Sequence, residues 1–357
     1  MEEVNIVTTH RCPGVHIRLA AFALVCAVLM SANAADAQSG SGYRVTKTIM
    51  VGGEGSWDYL TFDIPTHRLF VSHSDRVVVI NTSSDKVEAE ILKLEGVHGM
   101  AIASEYGRGF ISNGTSSTVS VVDMKTLKVV DTIPVGKKPD AILFDAFSHR
   151  VFVFNGQSNT VSVIDAKGGT VISTLELGGK PEFSVTDGKG RIFVNLEDKS
   201  EVVGIDASTL KIVARWRLTG GEEPTGLAID VEHHRLFAVC KNKLMFVLDS
   251  DTGTIVATLP IGARVDGCAF DPGAGLVFTS NGEGTMTVVR EESPMRFSVV
   301  DTIATRPGAK TITLDPVTHT LYLPTAAFGP TPAPTADAPA PKAPIVPNTF
   351  VVLKVTK

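Results

Sequence analysis

The chain has 357 residues, of which 43% are apolar and 20% charged, with 32 glycines. That balance supports a folded core and excludes a disordered, collagen-like or disulfide-dense chain. The formal net charge of −5 argues against a dedicated polyanion binder.

In chain order, Arg18 precedes the apolar run Leu19–Met30, and the small residues Ser31-Ala32-Asn33-Ala34-Ala35-Asp36-Ala37 follow it. A positive flank, an apolar run too short to span a bilayer and an A-x-A site read as a secretory signal. Residues 1–37 are therefore expected to be removed, leaving a periplasmic or secreted protein without a transmembrane segment. Cys26 follows Val25, where a lipidation site needs a small residue. Cleavage takes Arg11 and Arg18 from 33 basic residues and Glu2, Glu3 and Asp36 from 38 acidic ones, so the mature chain keeps a mild negative charge. Cys240 and Cys268 remain, and either pair in an oxidising compartment or stand as small buried residues.

From residue 38 onward the chain repeats. Asp63, Asp145, Asp187, Asp230, Asp271 and Asp315 each close a short apolar stretch, with Ala103 in the remaining slot, at separations of 40, 42, 42, 43, 41 and 44 residues. Between them, β-branched and aromatic residues alternate and are cut by Gly, Asn, Asp and Ser turns, which is strand periodicity. A period of this size built only from strands and turns predicts one propeller blade per repeat. The expected fold is all-β: a single seven-bladed β-propeller with four-stranded antiparallel blades, spanning 38–357. In the third unit the strands are predicted at an inner segment ending at Asp145, then Arg150–Phe154, Thr160–Ile164 and Val171–Leu177. The last unit stops after its third strand at Val355, while Tyr43–Ile49 matches an outer strand such as Val129–Ile133. The N-terminal strand is therefore expected to complete the last blade and cover its open edge.

The third unit also carries Phe152-Val153-Phe154-Asn155 followed by Ser158-Asn159-Thr160-Val161-Ser162-Val163-Ile164-Asp165. This resembles the YVTN-type β-propeller repeat family, exported bacterial proteins whose shared architecture implies seven blades but no single function. The likeness runs from about Tyr43 to Lys357, is strong in the second and third units, and is weaker in the fourth and seventh.

Propeller ligands are expected where the loops enter the inner strands around the central channel. At that level successive units present Asp58, His98, Asp140, Glu182, Thr225, Asp266 and Lys310, and the ends of the second strands present His73, Asn113, Asn155, Leu196, Cys240, Asn281 and Thr325. Four carboxylates with a His and a Lys suit a divalent cation held through oxygen, or an amine-bearing molecule; they equally suit a solvated rim paired with Lys137, Lys138, Lys180, Arg264 and Lys310. Asp58, His73 and His98 are the candidate transition-metal set. Trp57 is a candidate stacking surface or a wedge between blades. A second histidine series, His67, His149, His233 or His234 and His319, falls in the turn after the repeat Asp and reads as turn chemistry. The Pro/Ala-rich insertion 327–347 interrupts the seventh unit on the channel-mouth side and reads as an extended segment.

No Gly-rich phosphate loop, G-x-S-x-G elbow, C-x-x-C-H haem site or paired Cys/His zinc spacing is present. The expected function is a monomeric, non-catalytic propeller that binds a small ligand, polymer or protein through its channel-mouth face. The alternative is a metal-dependent exported enzyme using the mouth carboxylates, similar in architecture to lactonase-like hydrolases. Binding of single-stranded nucleic acid by Lys137, Lys138 and Lys180 with Trp57 and Tyr59 as stacking surfaces is a third reading, opposed by the acidic ring.

Overall fold

The third repeat shows how each unit folds. Its strands Pro139–Asp145, Arg150–Asn155, Thr160–Asp165 and Thr170–Glu176 pair in sequence order as an antiparallel sheet. At the first turn the Asp145 carboxylate accepts the Ser148 amide at 2.9 Å and its hydroxyl at 2.6 Å, while His149 takes a left-handed φ of 58°. At the second turn Asn155 donates to Thr160 Oγ1 at 3.1 Å and Ser162 Oγ at 3.0 Å. This pairing is the physical content of the Asn-x-x-x-x-Thr-Val-Ser pattern: a buried amide that needs hydroxyl acceptors on the facing strand. Asn113 and Asn281 bond in the same way to Thr118 and Ser120, and to Thr285 and Thr287.

A computed structural model describes residues 40–335 and 340–357; the expected cleaved segment, residues 1–37, lies outside them. Seven four-stranded antiparallel sheets are present, with inner strands Trp57–Asp63, Val97–Ala103, Pro139–Asp145, Pro181–Thr186, Pro224–Asp230, Val265–Asp271 and Thr313–Asp315 opening blades 1 to 7. The fold is thus the seven-bladed propeller expected. Among the described residues no helix is long and apolar enough to cross a membrane. Alternation along each strand feeds two interfaces. Phe152, Phe154, Val161 and Val163 pack with Ile192 and Val194 of blade 4, whereas Val151, Val153 and Ile164 pack with Phe110, Val119 and Val121 of blade 2. Each fully buried side chain of this size contributes roughly 1.5–3 kcal/mol of transfer free energy.

Blade 7 closes the ring from both chain ends. Its order is Arg44–Met50, Val351–Thr356, Thr320–Thr325, Thr313–Asp315, with Val45 opposite Val355 and Ile49 opposite Val352. Tyr43 adds an edge-on contact with Phe278 of blade 6 at 4.9 Å. The base of the insertion is folded back on itself rather than extended. Gly329 donates to the Pro344 carbonyl at 2.8 Å and Val346 to that of Ala327 at 2.9 Å, which brings Phe328 opposite Ile345 beside Trp57.

Cys240 and Cys268 are free, buried thiols, each pushed up by burial. The second histidine series divides. His67, His149, His234 and His319 all hold left-handed φ between 52° and 58°, so they occupy one turn position, and His233 is the extra residue before it.

Candidate functional site

The residues at the channel mouth sit in a shared irregularity of the inner strands. Register slips between Trp57 and Leu60, Val97 and Met100, Pro139 and Ile142, Pro181 and Ser184, Pro224 and Leu227, and Val265 and Gly267. Each slip holds a mouth residue: Asp58, His98, Asp140, Glu182, Thr225 or Asp266. Such bulges bend a strand and re-aim its side chains. A belt of buried hydroxyls and one amide locks the bent strands to their neighbours. Ser112 Oγ donates to the Asp140 carbonyl at 2.6 Å, Ser280 Oγ to that of Lys310 at 2.5 Å, Thr311 Oγ1 to that of Asp58 at 2.8 Å, and Asn195 Nδ2 to that of Thr225 at 2.8 Å. Thr225 extends the belt by donating to the Val265 carbonyl at 3.1 Å.

Within this frame Asp58, His98 and Asp140 come together. His98 Nδ1 is 2.6 Å from Asp58 Oδ2 and 3.3 Å from Asp140 Oδ1. Burial opposes charging of His98, but the hydrogen bond to Asp58 and the charges of Asp140 and Asp58 outweigh it and raise its pKa. Lys310 bonds Asp266, and Lys180 bridges Glu182 at 3.5 Å and also bonds Glu197. Burial is the largest influence on the acids: with the charge of Asp58 it pushes Asp140 up to about 6, and with the charges of Asp140 and Asp266 it pushes Glu182 up to about 8. Asp266 is raised by burial, against the opposing pull of Lys310. Lys310 is raised in turn, because Asp266 and Asp58 outweigh its burial.

Tyr59 stands among these groups. Its ring packs edge-on against Phe183 at 5.2 Å, and burial together with Asp140, Glu182, Asp58 and Asp266 drives its ionisation well above the usual range. It therefore offers a neutral hydroxyl at neutral pH. Glu197 is a further member that the repeat columns do not reveal: it lies on the short turn Glu197–Lys199 and ties Lys180 to Lys241, which also holds Glu223 at 2.6 Å.

His73 does not join this cluster, which corrects the set Asp58, His73 and His98. His73 pairs in register with Trp57, so it shares that residue's face rather than that of Asp58. It is fully buried and stacks on Phe350 at 4.2 Å, with the Gly55 backbone as a polar neighbour of the ring. Burial, then the charge of Arg76, lowers its pKa to about 4. Asp140 takes the third place, and the ligand atoms of Asp58, His98 and Asp140 lie within 4.8 Å of one another.

Trp57 is wedged against Phe350 at 5.4 Å and Phe328 at 6.0 Å, and its buried Nε1 donor lacks a partner. With Arg264, Lys310, Phe328, Lys342 and Ile345 it lines a cavity of about 650 Å³ beneath the folded base of the insertion. Among the described residues no carboxylate lines this cavity.

No protein-family model matches the chain, and no curated protein matches it significantly. Among solved structures, the Kuenenia stuttgartiensis hydrazine synthase is similar at a TM-score of 0.67 and 17% identity, over 78% of this chain and 93% of that one. The structure of U3-55K is similar at a TM-score of 0.69 and 11% identity, over 86% of this chain and 97% of that one. At these identities the likeness establishes the fold alone.

Proposed function

We propose that this chain is an exported, non-catalytic β-propeller of the YVTN-repeat type that binds a small organic anion with an apolar body at its channel mouth. One observation supports this reading above others: among the described residues, the cavity of about 650 Å³ combines Trp57, Phe328 and Ile345 with three cationic side chains and no carboxylate. Small-molecule sites are concave, mainly apolar and carry a few polar groups that set orientation. The apolar body rests against Trp57 and Phe328, and its acidic group faces Arg264, Lys310 and Lys342. Lys310 also bonds Asp266, so the cavity is contiguous with the acidic ring.

The test is calorimetric titration with aromatic and branched carboxylates, their neutral amides and the matching amines. Binding restricted to the carboxylates, and weakened tenfold or more by Trp57→Ala or Lys342→Ala, supports the reading. Equal binding of the amides, or no effect of either substitution, rejects it.

A second reading rests on a different observation, the convergence of Asp58, His98 and Asp140. One imidazole and two carboxylates leave coordination positions open for water, as a hydrolytic metal site requires. Tyr59 and Glu182 both feel the charge of Asp140, and would be the groups to donate protons at such a site. Metal content of the purified protein, compared with Asp58→Ala and Asp140→Ala variants that keep their fold, decides it: metal-free parent protein removes the enzyme.

A further inference from the structure

Blade 6 departs from the repeat at one end of its third strand. In blades 2 to 5 that strand ends at Asp123, Asp165, Asp206 and Asp249, whose carboxylates accept turn amides. The residue after each Asp donates its amide to the preceding hairpin and enters a slot against the ring; Ala166, Ala207 and Ser250 are buried there. In blade 6 Arg290 replaces the Asp, and the strand runs on as Thr285–Ser293, paired with an equally long outer strand, Arg296–Ala304. Glu291 thereby occupies the slot, its amide bonded to the Gly275 carbonyl at 3.0 Å. Its side chain is 3% exposed, and the polar side chains its carboxyl meets there are Asp230 and His233. Two carboxyls facing one another at such a depth cost several kcal/mol of solvation unless a cation or proton compensates them.

Two other donors face it from blade 5. Asp230, the last residue of its inner strand, and His233 in the following turn place their ligand atoms within 4.8 Å of each other and of Glu291. His233 Nδ1 is 2.6 Å from Asp230 Oδ2 and 3.2 Å from Glu291 Oε1. Arg235 locks the extended hairpin in place, donating to the Pro294 carbonyl at 2.7 Å and to Asp249 at 2.8 Å.

We propose that Asp230, His233 and Glu291 form a first-row divalent metal site, best suited to zinc, that clips blade 5 to blade 6 at the end of the ring opposite the channel mouth. One imidazole and two carboxylates are the donor types that zinc accepts, at about 2.0–2.2 Å each. Ligand atoms around a tetrahedral ion at those lengths stand about 3.4 Å apart, so the two contacts of His233, at 2.6 and 3.2 Å, need to open by less than about 1 Å. The imidazole is 42% exposed, which leaves the outer coordination position to water. The Glu291 and Asp230 carboxyls hold the inner positions because the slot admits no water to either oxygen of Glu291. This site is independent of the channel-mouth reading, since it shares no residue with it.

The experiment titrates the full chain with zinc, and with cobalt as a visible-absorption probe, in a His98→Ala background that disables the mouth cluster. One metal per chain is expected there, with affinity falling at least tenfold on adding Glu291→Ala and again on adding His233→Asn. Glu291→Ala restores the alanine present at positions 166 and 207 and is expected to fold; His233→Asn alters a half-exposed ring and provides a second route. Zinc is also expected to raise the melting temperature of the His98→Ala protein but not of its Glu291→Ala derivative. Absence of metal binding in the His98→Ala protein, or unchanged stoichiometry and affinity after both substitutions, overturns the site.

Discussion

Asp58 and His98, 40 residues apart in the chain, hold one another at 2.6 Å across the interface between blades 1 and 2. The contact exists because both lie in the register slips that turn the inner strands toward the channel. Since the hydrogen bond to Asp58 helps raise the His98 pKa, Asp58→Asn is expected to lower it. Imidazole chemical shifts followed by NMR across pH 4–9 check this. An unchanged His98 titration would mean that the two side chains do not meet in solution.

The acids of the ring make stability fall with rising pH. Glu182 and Asp140 have folded-state pKa values of about 8 and about 6, above the ordinary carboxyl range. The folded state therefore retains protons that the unfolded state has released. Their favourable contribution is complete below pH 4 and is lost as pH rises through 6 and then 8. Glu182→Gln is expected to remove the upper part of that slope and to stabilise the protein at pH 8.5 by on the order of 1–3 kcal/mol. Urea unfolding at pH 5.5 and 8.5 measures both; parallel profiles for parent and variant contradict it.

His73 gives the opposite trend. Its pKa is lowered to about 4, so the unfolded chain binds a proton that the folded chain refuses. Its contribution is present above pH 6.5 and is lost as pH falls through that value toward 4. His73→Phe keeps the stack on Phe350 and removes a buried ring whose protonation the fold opposes. We expect it to stabilise the protein by about 1–3 kcal/mol, and by more at pH 5 than at pH 7.5. Destabilisation at pH 5 would show that the ring nitrogens are satisfied.

Ser112 tests the belt that shapes the mouth. Its hydroxyl donates to the Asp140 carbonyl at 2.6 Å and accepts the Gly99 amide at 2.9 Å. Ser112→Ala leaves that buried amide without a partner, at a cost of about 1–3 kcal/mol. The loss should appear in the denaturant midpoint with an unchanged slope. A neutral effect would mean that the belt is not a determinant of the bent strands.

Ring closure predicts a large penalty for trimming the N-terminal strand. Deletion through Met50 removes Tyr43 and Ile49 from the core and leaves Val351–Thr356 as an open edge. Ile49→Ala alone is expected to cost about 2–5 kcal/mol. The deletion should abolish cooperative unfolding of the whole ring; a truncated chain that melts like the parent contradicts the closure.

Blade number, strand order and the pairing of the two chain ends were readable from the residues. These features rest on local chemistry: period-two alternation makes a strand, Asp and Asn make its turns, and an orphan strand at one end matches a missing strand at the other. The mouth column was readable for the same reason, because equal spacing places Asp58, His98, Asp140, Glu182 and Asp266 at equal height. What the sequence by itself left undetermined was direction. The register slips turn Asp58 inward while Trp57 and His73 face Phe350, and no linear pattern marks the bend. Likewise Glu291 differs from a surface acid only because an extended hairpin seats it in a slot that holds Ala166, Ala207 and Ser250 in blades 3 to 5. Strand identity follows from neighbours along the chain, whereas the setting of a charge follows from neighbours across blade interfaces, and only the closed ring decides those.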